Sequence, residues 1–152
     1  MKFYTSYFYQ VRFFDPHIIP FSTAMWPPHW FLNWKGPHKD KNGVWNGLEV
    51  DPLIPSQDLD GECMGQERCK AIKNGNCPFL QAYRKQLFSL DFNKVINRLT
   101  EIAYEIKHDE GFTKEPEIVI LVYEAPQNVC SERRVIQEWF ATHDYPITEW
   151  SR

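Results

Sequence analysis

The chain has 152 residues, a length that suits one domain with its own hydrophobic core. Its 17 Lys and Arg and 20 Asp and Glu residues give a formal net charge of −3 without a long basic run, which argues against binding of duplex nucleic acid through clustered cations. No apolar run approaches the roughly 18 residues that a membrane span needs, and polar residues interrupt the first positions, so we expect no membrane partner, no secretion signal and a cytoplasmic protein with reduced thiols.

The N-terminal residues predict two strands. Lys2 to Tyr9 is rich in β-forming residues, and Ile18 to Ser22 is a second, shorter run of the same kind. A short helical turn is expected between them, from Gln10 to Phe14. The second strand is expected to lie beside the first in a parallel sheet.

An irregular insertion follows, from Ala24 to about residue 76. Its closely spaced Pro and Gly turn signals predict little regular structure, and long loops in compact domains are usually functional or held by a metal. Four of the six tryptophans fall within it: Trp26, Trp30, Trp34 and Trp45. Two interpretations stay open, since these rings either cover the core or form a stacking surface, with Trp30 and Trp45, for a base or other flat ligand.

The same insertion contains three of the four cysteines: Cys63, Cys69 and Cys77. Thiolates bind zinc tetrahedrally, and a zinc ion would hold such a segment folded, with a fourth ligand from His29, His38 or Cys130. The spacing lacks paired C-x-x-C motifs, so cysteines that pack in the core are the alternative, and an iron–sulfur cluster is a third interpretation.

Regular structure resumes with two helices. Pro78 suits the first position of one helix. Asp91 is a suitable N-cap for the next, in which apolar residues recur at three-and-four spacing from Phe92 to Ile106. This second helix is expected to end near Asp109, before Gly111.

The last third of the chain predicts a strand and a helix. Ile118 to Val122 is a continuous apolar run, which is typical of a central parallel strand covered on both faces. A last helix is expected from residues 130–132, with Trp139 and Phe140 on its apolar face. The alternation of strands and helices predicts a single three-layer α/β domain, with a short, mainly parallel sheet, helices on both faces and the Trp-rich insertion.

The loop between this strand and helix is the first candidate site. Unpaired N–H groups at the helix start, with Arg133 and Arg134 one turn in, suit an anion. Glu124 is a candidate general acid or base, and Cys130 a candidate nucleophile. The structural alternatives are that Cys130 or Ser131 caps the helix and that the arginines are solvated surface charges.

The end of the first strand carries a second polar set. Thr5, Ser6, Tyr7 and Arg12 are groups that hold phosphate or ribose oxygens, although hydroxyls that cap strands and tyrosines that pack are equally good explanations. Because the carboxyl ends of parallel strands share one edge of a sheet, this set and the Tyr123–Arg134 loop are expected to face the same crevice.

The stretch YEAPQNVCSERRVIQEWF resembles the C-terminal signature of a bacterial and phage family called domain of unknown function 488, and KFYTSYF and HIIPFS are similar to its N-terminal part. The chain differs from the family where Ser131-Glu132 stands in place of a His. The resemblance implies a small three-layer α/β domain without an established chemistry. The matching positions of the C-terminal signature are Tyr123, Glu124, Pro126, Cys130, Glu138 and Trp139.

These patterns lead to two functional hypotheses. One is recognition, with or without cleavage, of a nucleotide-derived small molecule in the crevice. The other is a noncatalytic phage- or prophage-type protein that sequesters a signal nucleotide or contacts a host protein. P-loop, GxGxxG, HExxH and GxSxG motifs are missing from the sequence, which disfavours the enzyme classes that depend on them.

Overall fold

The computed structural model describes residues 1–32, 48–57, 77–127 and 131–152. The strands are β1 (Lys2–Tyr7), β2 (Ile18–Ser22), β3 (Glu117–Val122) and β4 (Thr148–Glu149). The α-helices are α1 (His29–Leu32), α2 (Pro78–Phe88), α3 (Phe92–Glu110) and α4 (Glu132–Thr142), and two 3₁₀ helices cover Phe8–Phe13 and Asp51–Leu53. None of these helices has the length and apolar character needed to cross a membrane.

The four described strands form one sheet in the order β2-β3-β1-β4, and every pairing in it is parallel. This confirms the predicted α/β class with a parallel sheet. Strand β3 lies between β1 and β2, so the prediction that the second strand lies beside the first is wrong: the more apolar β3 takes the central position. Its residues 118–122 are at most 1% exposed. The apolar run in the sequence is therefore continuous because both faces of this strand are covered.

The longer described helices, α2, α3 and α4, pack on one face of the sheet, where their buried side chains form a cluster with Phe3 and Ile118. The opposite face is covered by the 3₁₀ helix Phe8–Phe13 and by Phe31 of α1, with Trp150 partly buried beside them. Helical elements thus cover both faces, as predicted, but the helices on one face are long and those on the other are short.

The strand order explains this distribution. Crossover connections between parallel strands are right-handed. A connection that moves from the β2 side of the sheet towards the β4 side therefore passes over one face, and a connection that moves in the opposite direction passes over the other face. The connections from β2 to β3 and from β3 to β4 run in the first direction and carry α2, α3 and α4. The short helix α1 also belongs to the connection from β2 to β3 but packs on the opposite face through Phe31. The connection from β1 to β2 runs in reverse and carries the 3₁₀ helix.

One strand boundary and one additional strand differ from the prediction. Strand β1 ends at Tyr7 rather than Tyr9, because Phe8 turns under the sheet and packs against Phe31 at a centroid distance of 5.2 Å. Strand β4 was not predicted, since two residues leave no periodicity in a sequence. Its Thr148 and Glu149 pair with the middle of β1.

The helix starts follow the predicted capping residues. Asp91 accepts a hydrogen bond from the Lys94 N–H at 3.2 Å, as an N-cap does. Pro78 is the first residue of α2, and the Sγ atom of buried Cys77 accepts from the Leu80 N–H at 3.4 Å. Cys77 therefore has a capping and packing role, in line with the core alternative for the cysteines.

Helix α3 ends at Gly111, whose φ of 74° lies in the left-handed region. A Cβ added there would meet nothing within 4 Å, so Gly111→Ala should cost only backbone strain, about 1 kcal/mol in the free energy of unfolding. Gly111→Asn should cost less, because Asn tolerates this conformation. Urea unfolding measures both, and an Ala variant as stable as the parent would contradict the expectation.

Candidate functional site at the carboxyl edge of the sheet

The carboxyl ends of β1 and β3 lie side by side, with Tyr7 opposite Val122. From Tyr7 the chain enters the 3₁₀ helix on one face, and from Val122 it leads to α4 on the other. Neighbouring strands whose connections leave to opposite faces open a crevice at the carboxyl edge, which is where open α/β sheets bind ligands. The topology thus makes the two loops singled out in the sequence neighbours.

Arg133, in the first turn of α4, is buried at this edge with 6% exposure. Its Nε donates to Oε1 of Glu149 on β4 at 2.8 Å, and its Nη2 donates to the carbonyl oxygen of Glu124 at 2.6 Å. One guanidinium therefore ties α4, β4 and the segment after β3 together. The alternative interpretation of Arg133 as a solvated surface charge is therefore wrong.

Thr5 extends this network to β1. Its Oγ1 donates to Glu149 Oε1 at 2.7 Å and accepts from Gln137 Nε2 on α4 at 2.8 Å. A buried hydroxyl with both a donor and an acceptor partner is satisfied. The contribution of Thr5 is therefore to hold the Glu149 carboxylate in place.

Some buried polar atoms at this edge have no hydrogen-bond partner among the described residues: Nη1 of Arg133, Oε2 of Glu149, Oε2 of Glu124 and Oγ of Ser6. A buried polar group left unpaired costs about 1–3 kcal/mol, so such groups cluster where something else completes them. The set contains one cationic donor, two carboxylate oxygens and one hydroxyl.

Glu132, the first residue of α4, has its pKa raised to about 7. Burial is the largest cause and the negative charge of Glu124 adds to it, while a backbone hydrogen bond and Arg133 act in the opposite direction. Glu132 therefore keeps a proton close to neutral pH while the negative charge of Glu124 lies near it, an arrangement that acid–base catalysis uses.

Aromatic side chains form the other side of this edge. Tyr123 is half exposed, its ring packs against Phe8 at 5.1 Å between centroids, and its hydroxyl donates to the carbonyl oxygen of Trp26. Trp30 lies edge-on to Phe8 at 6.2 Å, and Trp26 is 69% exposed. Trp26 thus meets Tyr123 through its backbone and Trp30 meets Phe8 through its ring, whereas Trp45 lies outside the described residues.

Arg12 is exposed and engaged with its own 3₁₀ helix. It donates to the carbonyl oxygen of Tyr9 at 3.0 Å, and its guanidinium lies 4.1 Å from the centroid of the Tyr9 ring. The Tyr9 ring stacks with Tyr7 at 6.4 Å, and the Arg133 guanidinium lies 6.0 Å from the Tyr7 ring. Tyr7 therefore lies near Arg133, as expected, but the rings of Tyr9 and Tyr7 separate Arg12 from Arg133.

Ser131 caps α4, with its Oγ accepting from the Arg133 N–H at 3.2 Å, and Arg134 is exposed on that helix. No group of three His, Cys, Asp or Glu side chains that could hold a metal ion occurs in the described ranges. Cys63, Cys69 and Cys130 lie outside these ranges, so the zinc site and the nucleophile stay predictions.

Sequence reasoning missed the part of the site that depends on burial: Glu132, Gln137 and Glu149. A Glu in the first turn of a helix ordinarily complements the helix dipole, so the sequence around Glu132 gives no sign of a raised pKa. Gln137 lies one turn after Arg133, and this spacing is the signal that places both side chains on one side of α4. Glu149 had no signal, because the β4 pairing that buries it is not visible in the sequence.

Two residues that carry the family resemblance have structural roles. The carboxylate of Glu138 accepts hydrogen bonds from Nε and Nη2 of Arg84 at 2.8 and 3.2 Å, and these bonds join α4 to α2. Trp139 is fully buried in the core. Comparisons of the chain with protein-family models, curated proteins and solved structures found no match. The family resemblance therefore stays a prediction.

Glu149→Ala should lower the free energy of unfolding by about 3 kcal/mol, because it leaves the buried Arg133 guanidinium without its counter-charge. Glu101→Ala is the matched control. It breaks an ion pair with Arg98 at 3.2 Å whose side chains are 64% and 62% exposed, and it should cost less than about 1 kcal/mol. Urea unfolding measures the free energy of unfolding of both variants. An equal decrease in the two would show that the buried Arg133–Glu149 pair stabilises the fold no more than an exposed ion pair does.

Glu132 should make the protein less stable as the pH rises. Its pKa of about 7 in the folded state lies above the ordinary 4.5, so the folded state binds more protons than the unfolded state between these values, and stability falls across that interval. Glu132→Gln should therefore gain stability relative to the parent between pH 5 and pH 7.5. Urea midpoints at both pH values test this, with Glu101→Gln as control, and parallel pH profiles would refute it.

Proposed function

We propose that the carboxyl edge binds a nucleotide-derived small molecule through the hydroxyls of its sugar, and that Glu124 and Glu132 provide acid–base catalysis on it. The observation that carries the proposal is the set of unpartnered buried atoms, Nη1 of Arg133 and Oε2 of Glu124 and of Glu149, beside the crevice between β1 and β3.

The donor and acceptor types support a sugar. A hydroxyl both accepts and donates, so one hydroxyl can accept from Arg133 Nη1 while it donates to a carboxylate oxygen, and a neighbouring hydroxyl can donate to the second carboxylate. Vicinal hydroxyls of a ribose present this pattern. Each hydrogen bond to a charged partner contributes about 1.5–3 kcal/mol.

The charge balance supports the sugar over the phosphate as the group held here. The carboxyl groups of Glu124, Glu132 and Glu149 outnumber the buried guanidinium of Arg133 at this edge, and Glu132 already occupies the first turn of α4 where an anion would bind. A phosphate at this point would face carboxylates. We therefore assign the phosphate of a nucleotide to the outside of the crevice, in contrast to the anion site expected from the sequence.

The carboxyl pair supports cleavage of a glycosidic bond. In such a reaction Glu132, with its pKa near 7, donates its proton to the departing base as the bond to the sugar breaks, and Glu124 accepts the proton of the water that adds to the sugar. The half-exposed Tyr123 and Trp30 offer the base aromatic surface at the same edge.

Noncatalytic sequestration remains the second candidate because of the aromatic surface. Trp26 and Tyr123 are exposed to 69% and 50%, which suits contact with a ligand or a host protein without any chemistry. Turnover separates the two candidates. A nucleoside recovered intact from the parent protein supports sequestration, and its hydrolysis supports catalysis.

A ribonucleoside should bind at least as tightly as its 5′-monophosphate, whereas the 2′,3′-dideoxynucleoside should bind at least roughly 100-fold more weakly, because two hydroxyls that each contribute about 1.5–3 kcal/mol are lost. Isothermal titration calorimetry across matched nucleosides measures this. Glu124→Gln should abolish turnover and keep most of the binding, and Glu101→Gln, an exposed Glu on α3, is the control. Equal affinity for the dideoxynucleoside would refute the sugar assignment.

A further inference from the structure

A cavity of about 520 Å³ lies on the face of the sheet opposite α2, α3 and α4. The aromatic rings of Tyr4, Phe13 and Trp150 and the acidic residues Asp15 and Glu117 contribute to its lining. Its size is in the range of small-molecule sites, about 300–1,000 Å³.

The cavity and the carboxyl edge are on different sides of the sheet. Successive side chains of a strand point to opposite faces, so Thr5 faces Gln137 on α4 while Tyr4 belongs to the cluster on the other face. Glu149 also borders the cavity, but its carboxylate is bound by Arg133 and Thr5 and belongs to the carboxyl-edge network.

Glu117 supplies a fixed negative charge in this cavity. Its Oε2 lies 3.1 Å from His17 Nε2, and its Oε1 accepts from the Tyr4 hydroxyl at 3.4 Å, while its side chain keeps 21% exposure. A carboxylate has about four lone-pair sites, so these two contacts leave it able to accept further hydrogen bonds. The pKa of Tyr4 is raised, first by burial and then by the charge of Glu117, which agrees with negative potential in the cavity.

The aromatic wall already holds a cation from the chain itself. The guanidinium carbon of Arg152 lies 3.7 Å from the centroid of the Phe13 ring, and both residues border the cavity. Aromatic faces attract cations through the ring quadrupole, with a strength of about 0.5–2 kcal/mol that depends on solvent exposure. Arg152 shows that a guanidinium fits against this wall.

We propose that this cavity binds a small organic cation, a guanidinium or primary amine on a short apolar chain. The cationic head would pair with the Glu117 and Asp15 carboxylates, and its chain would lie along Phe13 and Trp150. Arg152 would be displaced from the ring when the ligand enters. An anionic ligand would instead meet the two carboxylates, and among the described lining residues Arg152, with His17 when it is protonated, would act in its favour.

The displacement of Arg152 gives a direct test. Isothermal titration calorimetry should detect butylguanidinium binding to the full chain, while its neutral analogue butylurea should bind at least tenfold more weakly. Arg152→Ala should strengthen butylguanidinium binding at least threefold, because it removes the intramolecular competitor. Glu117→Gln and Asp15→Asn should each weaken it at least fivefold, with Glu101→Gln unchanged.

Asp15 is exposed, so its variant remains informative if the Glu117 substitution impairs folding. Absence of butylguanidinium binding, equal binding of butylurea, or unchanged or weaker binding in Arg152→Ala would each overturn the proposal. Because the carboxyl edge is tested with nucleosides, failure of one proposal leaves the other intact.

Discussion

Burial of β3 on both faces is the constraint on which the rest of this structure depends. Its residues 118–122 have no exposed side, so they need a neighbouring strand on each edge and a covering layer above and below. Strands β1 and β2 provide the edges, and the direction of each crossover decides which element covers which face. The crevice between the carboxyl ends of β1 and β3 is a consequence of that arrangement.

The Arg133–Glu149 pair shows how a polar network is accommodated beside such a core. Removal of a guanidinium and a carboxylate from water is costly, and the pair persists because Thr5 and the Glu124 carbonyl oxygen satisfy several of its remaining groups. Nη1 of Arg133 and Oε2 of Glu149 stay without a partner among the described residues. A network of this kind joins β4 to the domain and at the same time orients the atoms that a ligand would meet.

The two candidate sites use the two faces of the same sheet for different chemistry. At the carboxyl edge, carboxylates surround a buried guanidinium and give alternating donors and acceptors. On the opposite face, Glu117 and aromatic rings give a cavity with negative potential, part of which Arg152 occupies. The alternation of side chains along β1, with Thr5 towards one face and Tyr4 towards the other, separates these environments by a single residue.

The sequence by itself determined the elements whose signal is local. The Ile118–Val122 run, the N-cap at Asp91 and the helical spacing from Phe92 to Ile106 each follow from periodicity or capping within a few residues. The neighbouring positions of the two loops also followed, because parallel strands share a carboxyl edge. Only the tertiary structure decided that Arg133 is buried and paired with Glu149, and that the pKa of Glu132 is raised. Burial and pairing depend on contacts between residues far apart in the chain, such as Thr5 and Glu149, and no local pattern encodes them.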